Sequence, residues 1–282
     1  MIRFGAFALM WVPTFDRRHL YLFDRVREMG FDGLELVLVG DIARNLPVKE
    51  MKEASERTGV QCTFCASVSP ADNVAGPDPK ARQRGLDHLK WAVDTAAELG
   101  SDFIAGLPYA AWGYLSGKPP TPDERRWSQD CVRELCHHAQ GCGVKIAIEP
   151  VSRFECYLLA TAQDALQYCY EVGEPNLGLH LDTFQMNIEE KNLAAAIRLT
   201  EDRLFHFHMC ASDRGVPGED HVPWPEVLGA LKEIGYDRWV TIESFSPEPG
   251  GPGANAAIWR RLAPSGDAIA EGGLRLLREY LR

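Results

Sequence analysis

The stretch DCVRELCHHAQGCGVKIAIE, residues 130–149, decides the fold. Its first part belongs to an amphipathic helical stretch that closes at Gly143, the residue type that ends a helix in a left-handed turn. A short apolar run, Val144–Glu149, follows at once and finishes on a carboxylate. The same unit repeats in both directions along the chain. Short runs read as strands at Ile2–Leu9, Gly33–Val39, Val60–Ala66, Phe103–Leu107, Val144–Glu149, Leu177–Asp182, Leu204–Met209 and Trp239–Glu243. Helical stretches lie between them at Phe15–Met29, Val48–Thr58, Pro79–Leu99, Pro122–Gln140, Ala162–Val172, Asn192–Leu199, Pro225–Ile234 and Gly266–Leu281. Gly30, Gly59, Gly100 and Gly235 punctuate helix ends as Gly143 does. Strand–helix pairs repeated without a low-complexity linker predict an α/β chain, a single (β/α)8-barrel domain over residues 1–282. A doubly wound open sheet is the rival, and it lacks the G-x-G-x-x-G expected after its first strand.

The loops after the third, fourth, seventh and eighth strands are long: Ser67–Asp78, Pro108–Pro122, Cys210–Pro223 and Ser244–Ser265. All follow strand C-termini, the barrel face on which active sites are assembled. The stretch Pro247–Gly253 reads as a surface excursion or contact arm.

Composition narrows the function. Hydrophobic residues at 45% and charged residues at 25% suit a soluble globular chain. No apolar run reaches the ~20 residues of a membrane helix. The N-terminus reads as a first strand, not a secretion signal, so a cytoplasmic location and no membrane partner are expected. A net charge of −10 without a basic cluster argues against a nucleic-acid partner. The 8 cysteines show no disulfide framework and read as ordinary buried thiols; Cys62 and Cys65, three apart in a strand, face opposite ways.

Polar residues at four strand ends carry the chemistry. Side chains alternate along a strand, so Ile146 and Ile148 oppose Glu149, Leu179 and Leu181 oppose Asp182, Phe207 opposes His208, and Ile242 opposes Glu243. The apolar set must meet the helices, which sends Glu149, Asp182, His208 and Glu243 into the barrel mouth. Three carboxylates and one imidazole converging there would repel one another without a cation. Oxygen-rich ligation with one nitrogen suits Mn²⁺, Mg²⁺ or Co²⁺ better than a structural Zn²⁺. His180 and His206 share the inward parity one layer deeper and are expected to support the ligands. Trp11, Tyr109 and Trp112 lie on the same face, as sugar-stacking platforms or plain packing, and His137 and His138 belong to a surface helix.

The motifs I-E-P at 148–150, R-F-E at 153–155, L-D-T-F-Q-M-N-I-E-E at 181–190, F-H-F-H at 205–208, R-G-V-P-G-E at 214–219, V-P-W-P-E at 222–226 and I-E-S-F at 242–245 resemble the D-tagatose/D-psicose (allulose) 3-epimerases. The resemblance runs through most of the chain in order. It implies that Glu149, Asp182, His208 and Glu243 ligate the metal and that Glu149 and Glu243 also transfer protons. It implies substrate contacts at Glu155 and Arg214, with Gln185 and Trp112 as further candidates, and a homodimer or homotetramer. Three departures bear on the sugar. Gln185 stands where the family has His, Cys210-Ala211 where it has Gly-Glu, and Ala8-Leu9 where it has an aromatic near the end of the first strand.

The expected reaction is metal-dependent epimerisation of a ketose at C3 through a cis-enediolate. Inverting such a carbon needs two opposed groups, and strands five and eight stand apart around the ring. Aldose–ketose isomerisation and inosose-type dehydration are the alternatives on the same site. A zinc-cluster DNA-repair endonuclease would want more His at strand ends, and a sugar-binding module would not need the metal site. With no basic cluster at the mouth, a free sugar is expected over a phosphate ester.

Overall fold

The computed structural model describes residues 1–40, 44–246 and 256–281. Its strands are β1 (Arg3–Phe7), β2 (Gly33–Leu38), β3 (Gln61–Val68), β4 (Phe103–Ala111), β5 (Lys145–Ile148), β6 (Leu177–Asp182), β7 (Leu204–Met209) and β8 (Trp239–Ile242). They pair in parallel in chain order, and β8 returns to β1, so the sheet closes. The helices are α1 (Tyr21–Met29), α2 (Val48–Thr58), α3 (Pro79–Glu98), α4 (Pro122–Gly141), α5 (Ala162–Val172), α6 (Thr183–Glu189), α7 (Leu193–Thr200), α8 (Trp224–Glu233) and α9 (Gly266–Leu281). This is the expected (β/α)8 barrel with one additional helix, α6, directly after β6. Among the described residues no helix is long and apolar enough to cross a membrane.

Two cores follow from the alternation of side chains. Ile146, Ile148, Leu179, Leu181, Phe207 and Ile242 join the large core beneath the helices. Cys65, Phe103, Ala105, Ala147, Phe205 and Trp239 form a separate cluster. Cys62 belongs to the first and Cys65 to the second, as their three-residue offset requires. The eight cysteines are free, but Cys142 is exposed and Cys131 only half-buried, against the expectation that all are buried thiols. Cys131 lies on α4, partly packed against the core, and Cys142 caps the C-terminal end of that helix.

Several boundaries depart from the sequence reading. The first strand stops at Phe7 because Ala8–Met10 winds into a 3₁₀ turn. The expected helix from Phe15 divides into a 3₁₀ turn at Arg17–His19, capped by the Asp16 side chain, and α1. β4 continues to Ala111, shortening the loop expected from Pro108. Ala111 pairs with Val68 across a register shift, and its N–H donates to Asn73 Oδ1 at 3.1 Å. Gly106 makes this irregularity possible: its φ is 108°, and a Cβ there would lie 2.5 Å from the Ala66 carbonyl oxygen. α6 begins where the Asp182 side chain accepts the Phe184 N–H, so one residue ends a strand and caps a helix. The proposed excursion at Pro247–Gly253 lies outside the described residues.

Candidate metal and substrate site

Strand register brings the four polar strand ends to the same mouth of the barrel. Asp182 pairs with His208 and Met209 with Ile242, so Glu243 follows directly above. The Glu149 N–H donates to the Gly106 carbonyl at 2.8 Å and that of Glu243 to Met209 at 3.2 Å. Asp182, His208 and Glu243 each offer a ligand atom, and these atoms lie within 4.8 Å of one another. Glu149 faces the same space from slightly apart, its Oε2 3.5 Å from His180 Nδ1. All four side chains are buried.

Burial and crowding act on their protons. Burial pushes Glu149 well above the usual carboxylate range, and the Asp182 and Glu243 charges add to it. Burial and then Glu243 raise Asp182 to about 8. Burial opposes the charge on Glu243 as well, but Arg214 and His208 outweigh it and hold that carboxyl low. Burial likewise opposes the charge on His208, yet Glu35 overrides it and lifts the imidazole to about 9.

The residues present fit a divalent cation. His208 Nδ1 is buried without a hydrogen-bond partner, and it lies 3.7 Å from Glu243 Oε1. Three carboxylates complete an oxygen-rich donor set of the kind that Mn²⁺, Mg²⁺ and Co²⁺ accept.

The site opens into a cavity of about 600 Å³. Glu149, Glu155, Gln185, His208, Arg214 and Glu243 line it together with Phe7, Leu36, Phe154, Phe184, Ile188 and Phe245. Arg214 stands in the cavity wall, where a substrate contact was expected of it. Although it belongs to the loop after β7, it is buried, with a left-handed φ of 66°. Its carbonyl accepts the Ser244 hydroxyl at 2.6 Å. The guanidinium stacks 3.8 Å from the Phe184 ring centroid and 5.2 Å from that of Phe245. It donates to Glu243, approaches Asp182 at 3.3 Å and lies 3.9 Å from Glu155.

Comparison with known proteins gives the family. Residues 23–280 match the family model described as xylose isomerase-like TIM barrel. The chain is 34% identical over 279 residues to a probable ketose 3-epimerase of Synechocystis sp., covering 99% of this chain and 96% of that protein. It is 30% identical to a D-psicose 3-epimerase of Ruminiclostridium cellulolyticum, covering 94% and 92%. The crystal structure of a D-allulose 3-epimerase from Methylomonas sp. superposes with a TM-score of 0.94 at 29% identity, covering 99% and 98%. The chain belongs to the ketose 3-epimerase family.

Within this ketose 3-epimerase fold, the remaining candidates separate into two groups. Trp112 lines the cavity and its Nε1–H donates to Glu155 Oε2 at 2.8 Å. Gln185 lines it too, with Oε1 accepting the Ser152 N–H at 2.8 Å. Tyr109 is instead packing: it is fully buried and donates to the Glu149 carbonyl at 2.8 Å. Trp11 donates to Asp267 at 2.8 Å and joins the loop after β1 to α9. Of the departures from the family pattern, Ala8 and Leu9 line the cavity, and Cys210 Sγ receives Arg214 Nη1 at 3.2 Å. His180 and His206 lie fully buried beside His208, with ring centroids 4.1 and 4.8 Å from it. His137 pairs with Glu174 at the surface, and His138 with Asp94.

Sequence reasoning missed Glu35. This carboxylate of β2 is fully buried. It lies 2.5 Å from His208 Nε2 and 2.9 Å from His206 Nε2, and accepts from Thr63, Thr241 and Cys65. The signal was available: in GLELVL, residues 33–38, one charge interrupts an otherwise apolar strand.

Proposed function

We propose that the chain is a divalent-metal-dependent ketose 3-epimerase acting on an unphosphorylated sugar. The observation that carries the reading is the placement of Glu149 and Glu243 just past strands three apart in the ring and lining one cavity, with Asp182 and His208 on the two strands between them. Glu149, Asp182, His208 and Glu243 would hold the ion, Mn²⁺ foremost, with Mg²⁺ or Co²⁺ as alternatives. When bound, it supplies Lewis-acid polarisation of a carbonyl and a template for neighbouring oxygens.

This chain's own residues then divide the work. One of Glu149 and Glu243 takes the C3 proton from its face of the sugar. The electron pair passes to the C2 carbonyl oxygen, giving a cis-enediolate, and the other glutamate returns a proton to C3 from the opposite face. Proton transfer by positioned groups contributes typically ~10²–10⁴-fold. Arg214 and Glu155 bind substrate oxygens, the planar guanidinium fork matching paired acceptors. Gln185 offers a neutral amide where the family has an ionisable ring, and Trp112 fixes Glu155. Arg214 is the sole Lys or Arg among the described residues lining the cavity, and carboxylates already engage it. That leaves a phosphate without a counter-charge.

The relatives named as acting on psicose and ribulose support ketoses of six and five carbons as the class to test. A panel of free and phosphorylated ketoses, run with Mn²⁺ in D₂O, checks the proposal. The expected product is a C3 epimer carrying deuterium at C3. Deuterium confined to C1 or C2 of an aldose would replace it with aldose–ketose isomerisation, and loss of water with the inosose-type dehydratase reading. An epimer without deuterium at C3 would exclude the proton-transfer mechanism.

A further inference from the structure

Glu35 is used by none of the steps above, although it sits under the site with both oxygens occupied. Its Oε1 lies 2.5 Å from His208 Nε2 and accepts from Cys65 Sγ at 3.1 Å. Its Oε2 accepts from Thr63 at 2.9 Å and Thr241 at 2.8 Å, and lies 2.9 Å from His206 Nε2. From β2 it thus reaches groups on β3, β7 and β8. An ionised carboxylate is an acceptor only. The His208 nitrogen that meets it therefore keeps its proton, and Nδ1 is the nitrogen that offers a lone pair once the imidazole is neutral. Nδ1 is the atom that is buried, without a hydrogen-bond partner, and on the side of Glu243.

We infer that Glu35 is a positioning residue that fixes the tautomer and ring orientation of His208, so that Nδ1 is presented to the metal ion. The inference rests on the reading of His208 as a ligand and adds to it the group that selects which nitrogen binds. A carboxylate behind a ligating imidazole also raises its basicity, and loss of such a partner typically weakens metal binding ~10–100-fold. The contact is specific to Glu35 Oε1; Thr63 and Thr241 meet the other oxygen, so removing one of them leaves the His208 contact in place.

The test has a readout independent of turnover. Mn²⁺ is titrated into the whole protein and the free aquo ion is followed by its electron paramagnetic resonance signal, for the wild type, Glu35→Gln, Glu35→Asp and Thr63→Val. Binding is expected to weaken ~10–100-fold in Glu35→Gln, less in Glu35→Asp, and by under about threefold in Thr63→Val. In parallel, ¹⁵N-histidine spectra of the Mg²⁺-loaded wild type should show His208 protonated at Nε2. A folded Glu35→Gln protein with wild-type Mn²⁺ affinity overturns the inference. So does Thr63→Val weakening binding as much as Glu35→Asp, or a wild-type His208 protonated at Nδ1. Should Glu35→Gln fail to fold, the spectra and the Glu35→Asp against Thr63→Val comparison decide it. A wild type that binds no Mn²⁺ sinks the metal reading instead, which separates the two failures.

Discussion

At the scale of single residues, the two proposed proton carriers differ in their surroundings. Glu243 has Arg214 beside it, whereas Glu149 faces other carboxylates and His180. Either Glu149→Gln or Glu243→Gln is expected to lower kcat by at least ~10²–10⁴-fold. A ketose assay at saturating Mn²⁺ measures this, and a variant retaining more than a tenth of kcat would remove that glutamate from the chemistry. Arg214 sets a second expectation. A charge-assisted hydrogen bond contributes about 1.5–3 kcal/mol, so Arg214→Lys should cost ~10–100-fold in kcat/KM because the ammonium lacks the stacked, forked geometry. Unchanged steady-state constants for that variant would place the substrate elsewhere.

At the scale of elements, the site depends on how β4 bends. Gly106 adopts a φ that other residues rarely take, its Cβ position is filled by the Ala66 carbonyl, and its own carbonyl receives the Glu149 N–H. Gly106→Ala must therefore shift both β3 and the start of the loop carrying Glu149. A loss of roughly 1–3 kcal/mol in denaturant unfolding, with a fall in activity, is expected. An alanine variant of wild-type stability would show that the strand pair yields without strain. Thr121 makes the contrast. Its side chain accepts the Glu124 N–H while Glu124 accepts the Thr121 N–H, a reciprocal cap at the start of α4. Thr121→Ala should cost about 1 kcal/mol of stability and leave KM unaltered. A larger change in KM than in stability would contradict that separation.

At the scale of the whole molecule, the barrel stores unfavourable electrostatics in its mouth. A carboxyl whose pKa is higher in the fold than in the unfolded chain contributes stability below its unfolded value, lost as pH rises through the folded one. Asp182 moves from 3.8 to about 8, and Glu149 moves the same way. His208, raised from 6.5 to about 9, also stabilises at the low end and loses that contribution as pH rises through the higher value. Glu243, held low, acts with the reverse sign, but only below its ordinary value of 4.5. His180 and His206, held low by burial, oppose the trend up to about pH 6.5, so the chelator-treated protein should show a Tm that falls between about pH 7 and pH 9. A divalent cation, which favours the ionised carboxylates, should raise Tm more at the alkaline end than at the acid end. Differential scanning calorimetry across that range checks both slopes; a metal-free Tm that climbs with pH would refute the account.

Most of the barrel was legible in the chain because its units are local. A helix stripe, a terminal glycine and a short apolar strand follow one another, and the bounds of Leu177–Asp182 and Leu204–Met209 are those observed. The candidate quartet was legible for the same reason, since period-two alternation sends Glu149, Asp182, His208 and Glu243 to one side of their strands. What only the tertiary structure decided lies between elements distant in sequence. Ring closure puts Glu35 against His208, 173 positions later, and the left-handed turn at Arg214 swings a loop side chain into the interior. Alternation names the face of a strand, but the partner across the barrel is set by closure and register, and neither is written in any one segment.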